Sequence, residues 1–239
     1  MDEESLEQLI SEIKRLSRLD ALSLLCSYLS CSFNYPSIEQ AKRYTSAQYI
    51  DLGATICAHA FIVAHVLDRC QHAAKSAAQS AESAQASPEK TEHAHAIALR
   101  QEQTRLFYKT RAVLPLESGK WVPLKERNEQ ARTHGMSGAL SLLYQQHQLK
   151  LPQNSNLRSD TLCVQLDFLA YLLEQEETAQ TNGDSRLAKR YREIRQQFIK
   201  EYLFPFTDKL CPAILQHTEN AFIRYWTIML ELLVDACFA

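Results

Sequence analysis

Asp160-Thr-Leu-Cys-Val-Gln-Leu-Asp-Phe-Leu-Ala-Tyr-Leu-Leu-Glu-Gln175 contains neither glycine nor proline and few polar residues. Placed at 100° per residue, its apolar members Leu162, Val164, Leu166, Phe168, Leu169, Ala170, Tyr171, Leu172 and Leu173 cover almost the whole circumference of a helix. A helix that is greasy nearly all round belongs at the centre of a bundle, since only several neighbours together can cover it. The polar stretch 153–159 before it reads as a connector. After it, Thr181-Asn182-Gly183-Asp184 breaks the pattern ahead of a charged helix at about 186–202, a short one after Pro205 or Pro212, and a last one at 219–236. Upstream, leucine and isoleucine recur at three- and four-residue steps from Leu6 to Leu29, and Phe33-Asn34-Tyr35-Pro36 ends that helix. Ser37-Ile38-Glu39-Gln40 reads as a capping box, in which the serine and glutamine side chains satisfy each other's backbone donors. Further helices are expected at about 47–70 and 97–108, from Pro123 to a stop at Gly135, and at 138–149. These readings predict an all-α single bundle of about nine or ten helices. Two sub-parts, 1–150 and 160–239, meet at a hinge over 151–159.

Composition narrows the function classes. The chain has 239 residues and only five glycines, at 53, 119, 135, 138 and 183, too scattered for either glycine-rich phosphate loop. A net charge of −2 shows no basic excess, so nucleic acid is not an expected partner. No apolar run approaches the roughly 20 residues of a membrane span, and the acidic start Met1-Asp2-Glu3-Glu4 is unlike a secretory signal. Seven cysteines without a CxxC, mostly inside apolar periodic segments, suit reduced core thiols. A soluble cytoplasmic protein is expected. Residues 73–96 hold no large apolar side chain and read as a flexible polar insertion, or as a frayed extension of the preceding helix.

No constellation announces catalysis. His65, Asp68 and His72 share one helix face but lie at a helix end without HExxH spacing, and read as surface residues. Lys189, Arg190, Arg192 and Arg195, interleaved with Glu193, read as a solvated basic face. Glu176-Glu177 is placed at a helix end, where nothing would perturb a carboxyl. Asp160, Asp167 and Glu174 recur every seven residues on the central helix, drifting about 20° per step, and form a narrow acidic seam between apolar flanks. Such a seam is either a solvent-facing strip or a carboxylate line suited to a peptide with cationic and apolar residues.

Three ordered segments carry a resemblance. Leu99-Arg-x-Glu-x-Thr-Arg-Leu-Phe107 leads into Leu114-Pro-Leu-Glu-Ser-Gly-Lys-Trp121; then come Ser159-Asp-Thr-Leu through Leu172, and Gln197-Phe198 through Tyr202-Leu-Phe-Pro-Phe206. Together they resemble the TorD/DmsD family of cytoplasmic redox-enzyme maturation chaperones. In that family a Tyr/Thr-Arg-Leu-Phe helix end is followed by a Pro-x-Glu-Ser-x-x-Tyr/Trp loop, an Asp-His-hydrophobic helix and a Phe-x-x-x-His-Leu-x-Pro-Trp segment. The family's Glu-Pro-x-Asp-His hinge reads Leu157-Arg158-Ser159-Asp160-Thr161 here, keeping the aspartate and losing the histidine.

The resemblance implies a non-enzymatic chaperone that binds the twin-arginine signal peptide of a molybdopterin oxidoreductase and holds it until the cofactor is inserted. Its partner is the enzyme precursor, through the leader and in part through the mature chain. No metal or cofactor is expected in the chaperone itself, and no nucleic acid. Either a monomer or a dimer that exchanges halves through the 151–159 connector is compatible with a hinged bundle. The implied peptide-contacting residues are Leu106, Phe107, Pro115, Glu117, Ser118, Trp121 and Asp160, with Asp167 added from the seam. The alternative is a helical scaffold or regulator that binds another protein without any signal-peptide role.

Overall fold

The computed structural model describes residues 11–61, 64–82, 88–108, 112–151 and 157–238. Among them are ten α-helices: α1 (Arg18–Phe33), α2 (Ile38–Tyr44), α3 (Ala47–Ala60), α4 (Ala64–Glu82), α5 (Pro88–Gln103), α6 (Glu129–Gln146), α7 (Leu162–Thr181), α8 (Ser185–Phe198), α9 (Phe204–His217) and α10 (Ala221–Phe238). Single π-helical turns follow α5 at Thr104–Tyr108 and α8 at Ile199–Leu203. The one β-type contact among the described residues is an isolated antiparallel bridge between Glu117 and Thr161. The all-α expectation therefore holds.

Helix α7 is central, as its circumference requires. It lies between α1 and α8, α1 also packs on α3 and α10, α4 packs on α3 and α10, and α5 packs on α2. Leu162, Leu166, Leu169, Leu172 and Leu173 are fully buried, and one continuous apolar core joins them to Leu25 and Leu29 of α1 and to Trp226 and Leu230 of α10. Each such leucine removed from water contributes about 1.5–3 kcal/mol. Residues from both sides of the 151–159 connector thus share one core.

Several helix limits fall where the local chemistry puts them. Ser37 and Gln40 form the expected capping box at α2, and Asn182 and Gly183 (φ 75°) close α7 before Asp184 caps α8. Other limits correct the periodicity. The apolar run from Leu6 is not one helix to Leu29, because the Ser17 side chain accepts from Asp20 N and starts α1 afresh; residues 6–10 lie outside those described. The stretch 47–70 divides at Phe61, which is extended (φ −111°, ψ 128°). Asp160 stands before α7 in a turn, with Thr161 at the N-cap, so it is not part of a helical seam.

Residues 73–82 continue α4, and 88–96 open α5 with Pro88 at its permitted first position. The extension reading thus fits 73–82; residues 83–87 lie outside those described. Ala74, Ala77 and Ala96 are buried. Small side chains here allow close helix approach, a form of packing that the lack of large apolar residues conceals.

Candidate functional site

The loop that carries the resemblance and the turn before α7 are bonded to each other. Ser118 N donates to Asp160 O (2.9 Å) and Leu162 N to Leu116 O (2.9 Å), which makes the Glu117–Thr161 bridge. The Asp160 carboxylate is fully buried; one oxygen accepts from Gly119 N (3.1 Å) and the other from Arg158 Nε (3.0 Å). A Cβ on Gly119 would sit 2.9 Å from that first oxygen, so only glycine lets the loop approach so closely. Ser141 and Ser159 share a hydrogen bond (2.5 Å), and Tyr144 Oη donates to Ser159 O (3.0 Å), fastening the same turn to α6.

The Thr-Arg-Leu-Phe end of the helix is fastened in the same way. Arg105 forks onto Glu102 with two 2.7 Å bonds and donates to His217 O at the end of α9, while Leu106 and Phe107 enter the core. Of the residues the resemblance implies, Leu106, Ser118 and Asp160 are fully buried and Phe107 nearly so. Pro115, Glu117 and Trp121 are half-buried, with Trp121 Nε1 donating to Pro115 O (2.6 Å), and Asp167 is exposed. The motifs are brought together, and their inward side chains hold the loop.

Asp167 and Glu174 lie on the side of α7 that meets α1. Ser23 donates to Glu174 (3.0 Å), and Ser30, seven residues on, bonds Asp167. Helix α1 shields one side of the Asp167 carboxyl, and that desolvation holds it above the usual carboxylate range, the Ser30 hydroxyl pulling it back. A raised pKa in the folded state makes the charged form unfavourable there. The penalty is complete above the raised pKa and vanishes once the pH falls below the unfolded value of about 4. Asp167→Asn is expected to raise the unfolding midpoint slightly at pH 7, with the gain fading toward pH 4; thermal melts at both pH values measure it.

A groove of about 730 Å³ lies elsewhere, between α6 and α8. Leu187, Tyr191, Ile194 and Phe198 supply the α8 wall at steps of four, three and four; Leu143 stands on α6, His147 at its C-cap and Tyr171 on α7. Beneath lies an aromatic row in which Phe168 meets Tyr144 (4.7 Å between centroids) and Phe198 (5.0 Å). Glu129, at the first turn of α6, and Glu201, after α8, line the groove, the latter fixed by Asn128 Nδ2 (2.6 Å). Arg190 and His147 also line it, and burial and Arg190 keep the imidazole below its ordinary pKa, hence neutral at pH 7.

The family model described as nitrate reductase delta subunit matches residues 64–212, which is most of the chain and contains the loop, the turn and the groove. The chain belongs to that family. The nitrate reductase delta subunit family is the NarJ/TorD-type family of redox-enzyme maturation chaperones, so the resemblance read from the three segments stands. No curated protein and no solved structure matches the chain. Members of the family bind molybdoenzyme precursors, a task for surfaces rather than for catalytic groups.

For a delta-subunit family member, the groove residues Glu129, Tyr191, Ile194 and Glu201 are what the sequence reading missed. A signal existed in the apolar stripe Leu187-Tyr191-Ile194-Phe198, hidden on a helix that is otherwise charged. Among the described residues no three His, Cys, Asp or Glu side chains could hold a metal, and no helix is long and apolar enough to cross a membrane. Asp68 and His72 are exposed; the side chain of His65 lies outside those described. Cys26, Cys163, Cys211 and Cys237 are buried and free, and burial pushes Cys163 and Cys237 up to about 12, where thiolate chemistry is suppressed.

Proposed function

We propose that the protein binds the twin-arginine leader of a molybdopterin oxidoreductase in the groove between α6 and α8, and holds the precursor in the cytoplasm until its cofactor is in place. The observation that carries this reading is the groove itself, where the carboxylates of Glu129 and Glu201 accompany walls of Leu143, Tyr171, Tyr191 and Ile194. A leader presents two guanidinium groups and then an apolar stretch. Carboxylates accept guanidinium in charge-assisted forks, and aromatic and aliphatic walls take up the apolar segment.

The loop residues serve this groove from behind. Asp160 holds Gly119, the Gly119 carbonyl accepts from Arg127 (2.8 Å), and the next residue, Asn128, caps α6 and fixes Glu201. Asp160 is therefore a positioning residue, with Leu106, Phe107 and Ser118 in the same supporting role. Pro115, Glu117, Trp121 and Asp167 reach solvent and offer contacts to precursor segments outside the groove.

The test is a titration of a synthetic twin-arginine leader against its twin-lysine version. Binding of the first, with the second at least about tenfold weaker, is expected, because lysine cannot form the two-pronged contact. Equal affinities would remove the guanidinium fork from the account, and no binding of either would remove the leader.

A further inference from the structure

The groove between α6 and α8 carries opposite charge at its two ends. Asn128 caps α6 and bonds Glu201, which follows α8, so the start of α6 stands beside the end of α8. Half-buried Glu201 accepts only from the neutral amides of Asn128 (2.6 Å) and Gln197 (3.1 Å) among the described residues, and Glu129, next in sequence to Asn128, lines the same end. Arg190 and His147 line the other end. Burial and then the charge of Arg190 lower the imidazole pKa of His147, so Arg190 supplies the charge there. Its guanidinium makes no ion pair or hydrogen bond among the described residues. We propose that the leader lies in this groove as a helix with one direction, its arginine pair at Glu129 and Glu201 and a carboxylate about eleven residues further on at Arg190. That arrangement rests on the leader binding proposed above and gives it a direction, a conformation and a second charged contact.

The walls select a helix. Leu187, Tyr191, Ile194 and Phe198 follow one another along α8 at the three- and four-residue steps by which one helix packs its ridges against another. An extended peptide needs unpaired backbone groups to bond, as a sheet edge offers, whereas the backbone of α8 is bonded within itself. A helical leader brings its own backbone bonds with it.

Spacing sets where the second charge falls. Arg190 and Glu201 are eleven residues apart, about 16 Å at a rise of about 1.5 Å per residue. A leader helix covers the same distance in about eleven residues, and eleven steps of about 100° return it to within about 20° of the starting face. A carboxylate at that place meets Arg190 while the arginines remain at Glu129 and Glu201, with the apolar turns between them against Tyr191 and Ile194. A reversed leader would set its arginines against Arg190 and its carboxylate against Glu201, and like charges disfavour it.

Synthetic twin-arginine leaders carrying Glu, Gln or Lys eleven places after the second arginine, titrated against the full chain at low salt by calorimetry, test this arrangement. The Glu leader is expected to bind about threefold tighter than the Gln leader and about tenfold tighter than the Lys leader, the scale of one exposed ion pair gained or reversed. In Arg190→Glu the order should invert, with the Lys leader tightest. Arg190 is exposed and bonded to nothing among the described residues, so the fold does not depend on it. Moved to nine places, the Glu side chain is turned about 180° away and its gain should vanish. Leaders that bind but ignore the charge at eleven places, an unchanged order in Arg190→Glu, or the same gain at nine places would overturn the proposal and leave leader binding itself standing. Failure of every leader to bind would instead remove the leader, and this arrangement with it.

Discussion

Glu129→Lys combined with Glu201→Lys is expected to weaken binding of a twin-arginine leader about a hundredfold at low salt, and less at high salt. Both side chains line the α6–α8 groove, and neither has a cationic partner among the described residues. Their charge is therefore available to a ligand. Reversal replaces two attractions with two repulsions, which is why the effect exceeds that of neutralisation. Glu129→Gln and Glu201→Gln, made singly, should each cost about three- to tenfold.

The fold survives these changes for local reasons. Glu129 is exposed at the first turn of α6, where losing a favourable interaction with the helix dipole costs about 0.3–1 kcal/mol. Glu201 loses bonds from Asn128 and Gln197 but lies in no core cluster. Leader titration by calorimetry, with circular dichroism as the control for folding, measures the outcome. A double-lysine variant that binds like the parent would move the leader away from this groove altogether.

What the sequence disclosed and what it concealed follow from the range of the interactions. The capping box at Ser37, the stop at Asn34 and the turn at Asn182-Gly183 rest on partners within about four residues, and each is found where the residues put it. The central place of α7 was legible because its composition leaves no solvent face. The packing of 64–82 on α3 and α10, and of 88–103 on α2, was not, since alanine carries little hydrophobic signal and the burial of Ala77 shows only in the assembled fold. The motif loop could be found by its pattern, yet its meaning depended on whether Asp160 pointed outward or inward, which periodicity cannot decide. The groove joins residues 128–148 to 187–202 and exists only after α7 has brought them side by side.

Arg195→Ala is expected to lower the stability of the fold by about 3–5 kcal/mol, the usual loss when one partner of a buried ion pair is removed. The basic cluster on α8 reads as a solvated face, but the structure buries Arg195 and pairs both it and the exposed Arg192 with Glu176. Arg195 Nε donates to Glu176 (3.0 Å), Arg192 Nε to the other oxygen (2.8 Å), and Glu176 is 1% exposed. Glu176 is no helix-end residue, because α7 continues to Thr181. Arg195 also donates Nη1 to Cys237 O (2.5 Å), so one guanidinium joins α7, α8 and the last turn of α10. Removing it leaves a buried carboxylate with Arg192, half of which is in water, and a long bond from Gln180 Nε2 (3.4 Å), and strips a cap from α10. Arg192→Ala should cost far less, about 1 kcal/mol or below, because that guanidinium is 49% exposed and its attraction is screened. Glu176→Gln with Arg195→Met should recover much of the single-variant loss, since no charge is then left buried alone. Urea unfolding of the four proteins measures the differences. Similar losses for Arg192→Ala and Arg195→Ala would show that burial does not set the strength of this pair.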